Sequence, residues 1–303
     1  MSRSTIPPGS AAPAGSTRNG YAPGRLTVHS DPAKLTPVTR ALRGAGRKIA
    51  LIPTMGALHE GHRELIRHAR RLPGTVVPVV SIFVNPLQFG AGEDLERYPR
   101  PLEADLEVCR EEGVELVLTP QVEHMYPPGS ETRIAAGALG DELEGAVRKG
   151  HFDGVLTVVS KLFHIVGPDV ALFGEKDYQQ LTLVRRMVRD LDFPVSVVGV
   201  PTVREDDGMA LSSRNAYLDP EQRGRAAVLA RALVAGASVS VRGPDAVLAA
   251  ARAELAAEPD IELDYLELRD ADLGPAPASG EARLLVAARA GSTRLIDNVP
   301  VAL

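Results

Sequence analysis

Ile49–Arg70, IALIPTMGALHEGHRELIRHAR, decides how the rest of the 303-residue chain is read. Ile49–Ile52 is an unbroken apolar run behind the basic pair Arg47-Lys48, the pattern of a strand buried on both faces. From Glu64 the spacing changes: Leu65, Ile66 and Ala69 share one helical stripe, with Arg63, Arg67, Arg70 and Arg71 largely on the wet side. Between strand and helix, Gly56 and Gly61 bracket His59 and His62. A strand feeding a helix through a glycine-containing corner leaves backbone N–H groups where an anion can sit. Two imidazoles there can add hydrogen-bond donors.

The surrounding chain bounds what such a corner serves. With 44% hydrophobic and 24% charged residues the composition is that of a folded soluble protein, long enough for one large domain or two modest ones. A formal charge of -5 argues against a nucleic-acid partner. No apolar run is long enough to span a bilayer and the N-terminus lacks a signal-peptide pattern, so no membrane association is expected. Cys109 is the only cysteine, which excludes an intrachain disulfide and points to the cytoplasm. Its acidic setting, CREEG, disfavours a thiolate and marks it as incidental rather than nucleophilic.

Residues 1–24, dominated by Ser, Pro, Gly and Ala, read as a disordered leader. Helices are then predicted at Pro37–Gly44, Leu102–Glu112, Val155–Val166 and Tyr178–Leu191. They alternate with strands at Ile49–Ile52, Thr75–Val84, Val114–Leu118, Val170–Phe173 and Val195–Val200. Such alternation with short connections indicates an α/β class: a Rossmann-like open parallel sheet with helices on both faces, over residues 25–202. Pro78 argues that part of its strand lies at an edge or before regular pairing begins. The composition changes near Pro201–Asp207. Residues 203–303 read as a smaller α+β C-terminal domain suited to act as a lid. It has helices at Glu221–Val239 and Pro244–Ala257, then strands at Ile261–Arg269, Glu281–Arg289 and Thr293–Asp297.

Several groups of residues can carry chemistry. His59 and His62 admit three readings: phosphate contacts, a metal pair or structural histidines. HEGH lacks the HExxH spacing and no cysteine cluster adds zinc ligands. Gly56-x4-Gly61 resembles a phosphate loop only superficially, because His62 stands where the lysine would be. Asn85 and Gln88 follow a strand's C-terminal end, and amides that both donate and accept suit a hydroxylated acid; a capping pair in a Pro-containing turn is the open alternative. Lys176 can neutralise a triphosphate, and Asp177 can hold a ribose, a metal-bound water or a backbone corner, yet Glu-Lys-Asp also reads as a solvated turn. Ser212, Ser213 and Arg214 suit a departing pyrophosphate, or simply an N-cap.

Taken together, MGALHEGH (55–62), SIFVNPLQF (81–89), FGEKDYQQ (173–180) and LSSRN (211–215) resemble the pantoate–beta-alanine ligase family, within the HIGH-motif nucleotidyltransferase superfamily. The resemblance runs over roughly residues 26–300. It implies an ATP-dependent condensation of (R)-pantoate with beta-alanine to pantothenate, AMP and diphosphate through pantoyl adenylate, on the way to coenzyme A. On this resemblance ATP meets Pro53, Met55, Gly56, Ala57, Leu58, His59, Glu60, Gly61 and His62 of the first segment. It also meets Gly174, Glu175, Lys176 and Asp177 of the second, and Val203, Leu211, Ser212, Ser213 and Arg214 of the third. Among these, His59, His62, Lys176, Ser212, Ser213 and Arg214 are the implied catalytic groups. Asn85, Gln88, Arg148, His151 and Gln180 are implied to face the substrate. Leu211 stands where the family often has methionine, a change confined to backbone contacts and packing. Mg2+ is expected mainly through the ATP phosphates, with Asp94 and neighbouring acids as further candidates. A homodimer is implied as well. A nucleotidyltransferase that stops at the adenylate, or a non-catalytic nucleotide-binding regulator, are the alternatives. The ligase reading requires His59, His62, Lys176 and Arg214 to border one cleft.

Overall fold

The computed structural model describes residues 21–90, 93 and 95–303; residues 1–20 of the expected leader, and Ala91, Gly92 and the magnesium candidate Asp94, lie outside them. In chain order the first half contains β1 (Thr27–His29), α1 (Pro32–Gly44), β2 (Lys48–Thr54), α2 (Glu60–Arg71), β3 (Val76–Ile82), α3 (Leu102–Glu111), β4 (Leu116–Leu118), α4 (Val122–Met125), α5 (Glu144–Val147), α6 (His151–Val166), β5 (Val170–Gly174), α7 (Tyr178–Asp190) and β6 (Ser196–Val200). The second half contains α8 (Pro220–Ala226), α9 (Val228–Ser238), α10 (Pro244–Leu255), β7 (Ile261–Asp270), β8 (Glu281–Ala290) and β9 (Thr293–Ala302).

The first sheet runs β1-β4-β3-β2-β5-β6 with parallel neighbours throughout. From β2 the chain builds outward through β3 and β4, then returns to the other side of β2 for β5 and β6. The order therefore reverses between β2 and β5, and the crevice beyond the C-terminal ends of those strands is where open parallel sheets bind ligands. The apolar run of β2 serves both layers. Ile49 and Leu51 enter a core with α1, α6 and α7, while Ala50 and Ile52 enter one with α2 and α3. Pro78 sits one residue before β4 joins β3 at Val79, so β3 is paired only with β2 at that point.

The second sheet, β7-β8-β9, is antiparallel. Along β8, Leu284 and Val286 enter a core with α9 and α10, whereas Leu285 joins the first core beside Leu273. Both faces of β8 are thus covered, and the sheet is seated on the first half of the chain rather than standing apart from it.

Several boundaries differ from expectation for identifiable reasons. β1 is too short to show a sequence pattern and exists through its register with β4, Thr27 opposite Leu116 to His29 opposite Leu118. Tyr21, assigned to the leader, is buried and hydrogen-bonds Glu115, so folded chain begins before residue 25. Helix α1 starts at Pro32 because Asp31 caps it, its carboxylate accepting from Ala33 N. The helix expected over 221–239 is two, α8 and α9, meeting at Ala227. β9 continues past Asp297 to Ala302; an edge strand tolerates Pro300 where a central one would not.

Candidate functional site

At the end of β2 the chain turns through Gly56 and Ala57, both with positive φ, 89° and 52°. Buried Asp105 of α3 secures this corner by accepting from Ala57 N (3.0 Å) and Leu58 N (2.7 Å). A side chain at 56 would place its Cβ 2.9 Å from Asp105 Oδ2, so glycine is required by space as well as by φ. Two N–H groups that the sequence offered to an anion, those of Ala57 and Leu58, are therefore already engaged by a carboxylate.

Helix α2 begins at Glu60, earlier than its apolar stripe, because His59 is its N-cap. His59 Nδ1 accepts from Gly61 N (3.1 Å) and His62 Nδ1 accepts from His59 N (3.2 Å). This is a capping box built from two imidazoles instead of Ser/Thr and Glu. With each Nδ1 accepting, each neutral ring carries its proton on Nε2. Burial lowers both pKa values; for His62 burial, then His59, brings it down to about 3, while Lys176 is the second cause at His59. Both rings are neutral N–H donors at physiological pH.

The amide side is held by the turn after β3. Asn85, 1% exposed, faces inward: Nδ2 donates to Gln88 Oε1 (3.1 Å) and Gly154 O (3.0 Å), and Oδ1 accepts from Tyr126 Oη (2.8 Å). Asn85 is thus the capping residue of the alternative reading and holds Gln88 rather than lining the cavity itself. Gln88 Nε2 lies 2.9 Å from Met55 Sδ, a weak acceptor that leaves donor capacity for an oxygen ligand. His151 Nδ1 donates to Gln88 O (2.8 Å), and Arg148 Nη1 donates to His151 Nε2 (3.0 Å). Burial first, then Arg148, lowers the His151 pKa to about 4. Arg148 also grips Glu93 through two bonds (2.6 and 3.1 Å); burial opposes ionisation of Glu93, but Arg148 outweighs it and holds the carboxyl low.

These elements enclose a cavity of about 240 Å³. Pro53, Met55, His59, Gly61 and His62 form one wall, with Gln88, Arg148 and His151 beside them. Gly174 comes from the end of β5, Lys176 and Asp177 from the turn after it, Gln180 from the first turn of α7, and Val203, Leu211, Ser212, Ser213 and Arg214 from the segment after β6. A second cavity of about 430 Å³ adjoins it, sharing Arg148, Lys176, Asp177, Ser212 and Arg214, and extends to β9. Lys176 Nζ is 3.5 Å from Asp177 Oδ1. Burial works to raise the Asp177 pKa, but Lys176 and Arg214 more than offset it and keep the group ionised. Gly56, Ala57, Leu58 and Asn85 do not reach this cavity; neither does Glu60, paired with Arg67, nor Glu175, paired with Arg283. Sequence reasoning missed Thr202 and Phe173 in the lining and Asp105 behind it. Phe173 lay inside a recognised motif, as did Phe83, a further lining residue that was missed. For the metal reading, both Nδ1 atoms are engaged, and among the described residues no three His, Cys, Asp or Glu side chains converge. Among the same residues no helix is long and apolar enough to cross a membrane.

Residues 27–300 match the family model described as pantoate-beta-alanine ligase. The chain is 63% identical over 286 residues to the pantothenate synthetase of Nocardia farcinica, covering 94% of this chain and 89% of that one. Its structure is similar to crystalline pantothenate synthetase from Thermus thermophilus, with TM-score 0.82 and 50% identity over 90% of this chain and 99% of the other. It is also similar to a Francisella tularensis pantoate-beta-alanine ligase complexed with beta-gamma ATP and beta-alanine, at TM-score 0.75 and 31% identity, covering 90% and 97%.

Proposed function

This chain belongs to the pantoate–beta-alanine ligase family, and we propose on that premise that both half-reactions take place in the cavity at the β2/β5 reversal. The reaction is the ATP-dependent ligation of pantoate with beta-alanine through an adenylate. A carboxylate does not acylate an amine at neutral pH, because oxide is too poor a leaving group; adenylation replaces it with AMP. The pantoate carboxylate attacks the α-phosphorus and pyrophosphate departs; the free amine of beta-alanine then attacks the acyl carbon and expels AMP.

The first step asks little covalent help of the protein and much charge stabilisation. In this reading Lys176 and Arg214 supply positive charge to the phosphates, Ser212 and Ser213 supply hydroxyl donors, and His59 and His62 supply neutral Nε2–H groups. The low His62 pKa supports a role in donating a hydrogen bond rather than a proton. Gln88 and Gln180 bind the pantoate hydroxyls, which disfavours acids lacking them. Arg148 and His151 border the same space, and the C-terminal residues 203–303 help shield the mixed anhydride from water.

The donor set fits a Mg2+ carried in on ATP, since Asp177 is the one carboxylate among the described residues that lines both cavities. Asp177 would hold it through water, and the ion would neutralise phosphate charge. The family resemblance extends the proposal to a cytoplasmic homodimer.

One observation carries this reading: both imidazoles, Lys176, the Ser212–Arg214 segment and two glutamines border a single cavity. Pyrophosphate release with ATP and pantoate, before beta-alanine is added, tests it. Release is expected to depend on pantoate; none before beta-alanine, or a requirement for another acid, would overturn it.

A further inference from the structure

Asp297 and Asn298 are adjacent residues of β9, and both are buried. Buried polar side chains need partners, and this pair finds several of them outside its own sheet. Asn298 Nδ2 donates to Glu175 O (3.0 Å) and Lys176 O (2.8 Å), the backbone of the turn that carries Lys176. Its Oδ1 accepts from Arg283 Nε (2.6 Å). Arg283 in turn lies 4.0 Å from the centre of the Tyr178 ring and donates to Glu175 Oε2 (2.9 Å). Asp297 accepts from Arg204 Nη1 (2.7 Å) and Nη2 (2.9 Å) in a bidentate pair. Arg204 also donates to Gly208 O (2.8 Å), across a turn closed by Leu211 N donating to Val203 O (3.0 Å). That turn delivers Ser212.

Two consecutive residues of one strand thus grip the two separate segments that bring cationic groups to the cavity. β9 is in register with β8 along its length, Asp297 opposite Val286 and Asn298 opposite Leu285, and a strand cannot slip by one residue without turning every side chain to the wrong face. The spacing between the Lys176 turn and the Ser212–Arg214 segment is therefore set by the C-terminal sheet. We propose that Asp297 and Asn298 are positioning residues for adenylate formation, acting through Lys176 and through the Arg204 turn. The inference rests on the reading of Lys176 and Ser212–Arg214 as phosphate contacts.

The test is pantoate-dependent exchange of pyrophosphate into ATP by Asn298→Asp and Asp297→Asn. Asn298→Asp is isosteric and keeps the acceptor for Arg283, but loses both donors to the turn. Asp297→Asn weakens the grip on Arg204. Each is expected to lower kcat/KM for ATP by about tenfold, the scale of one or two buried hydrogen bonds, while KM for pantoate stays put. Leu284→Ala, which empties the core of the same sheet without touching either segment, lowers thermal stability and leaves the ATP constants unchanged. Asn298→Asp placed on Lys176→Ala is expected to cost little more than Lys176→Ala alone, because both act through one group. Fully additive losses, or a stability loss with unchanged kcat/KM for ATP in both brace variants, would overturn the proposal. Wild-type exchange by Lys176→Ala alone would instead overturn the phosphate reading beneath it. If Asn298→Asp fails to fold, Asp297→Asn decides the question from the other segment.

Discussion

Gly154 lies in the second turn of α6, in a helix where alanine would ordinarily be favoured by about 1 kcal/mol. Here a Cβ would sit 2.2 Å from Leu87 O, 2.4 Å from Leu87 C and 2.7 Å from Gln88 N, all of it backbone. Clearing such a contact moves the Asn85–Gln88 turn by about 1 Å, a displacement able to cost about a hundredfold in rate when it misplaces a substrate contact. Two hydrogen bonds go with it, His151 Nδ1 to Gln88 O at 2.8 Å and Asn85 Nδ2 to Gly154 O at 3.0 Å. Their loss at about 1 kcal/mol each, with overpacking of about 1–3 kcal/mol and the helix gain set against it, leaves Gly154→Ala less stable by about 2–4 kcal/mol. On the proposed roles the functional loss is selective, because the turn carries Gln88 and none of the residues assigned to phosphate. Pantoate-dependent pyrophosphate exchange is expected to show kcat/KM for pantoate down about a hundredfold. ATP affinity by calorimetry should stay within about threefold, less than 1 kcal/mol. A folded Gly154→Ala enzyme with wild-type kcat/KM for pantoate would refute the reasoning.

Three further outcomes follow from the same geometry. Asp105→Asn turns an NH2 toward one of the two N–H groups at 57 and 58, so it is expected to destabilise the chain by about 1–3 kcal/mol and raise KM for ATP; unchanged ATP kinetics would separate the corner from the site. His62 and His151 titrate near 3 and 4 in the folded chain against 6.5 when free, so the unfolded chain takes up protons first as pH falls. Their contribution to stability is complete above pH 6.5 and is lost progressively as pH falls, down to about 4 for His151 and about 3 for His62, a slope that His62→Gln and His151→Gln should each reduce in denaturant titrations. A wild-type midpoint unaffected between about pH 7 and 5 would contradict it. Cys109 is buried, and burial followed by Asp105 pushes its thiol up to about 12, so a thiol reagent should label it only on unfolding.

Residues 49–52 announced their place because a strand covered on both faces must be apolar at every position, and that requirement is written locally. The motif segments were legible in the same way: residue types suited to phosphate and amide chemistry follow the ends of strands in the sequence, and His59, His62, Gln88, Lys176, Gln180 and Ser212–Arg214 of those segments line one cavity. Other features depend on contacts between residues far apart in the chain. β1 exists only against β4, and the two N–H groups at 57 and 58 are claimed by a carboxylate 47 or 48 positions later. Asn85 resembles a ligand-facing amide until Tyr126 and Gly154 are seen to occupy it. Nor does any local pattern show that Asp297 and Asn298 reach across to residues 175, 176 and 204. Periodicity and motif chemistry are properties of neighbouring residues, so the chain alone determines element types and the kind of reaction. Which polar groups remain free for a ligand depends on what packing brings beside them, and only the tertiary structure decides that.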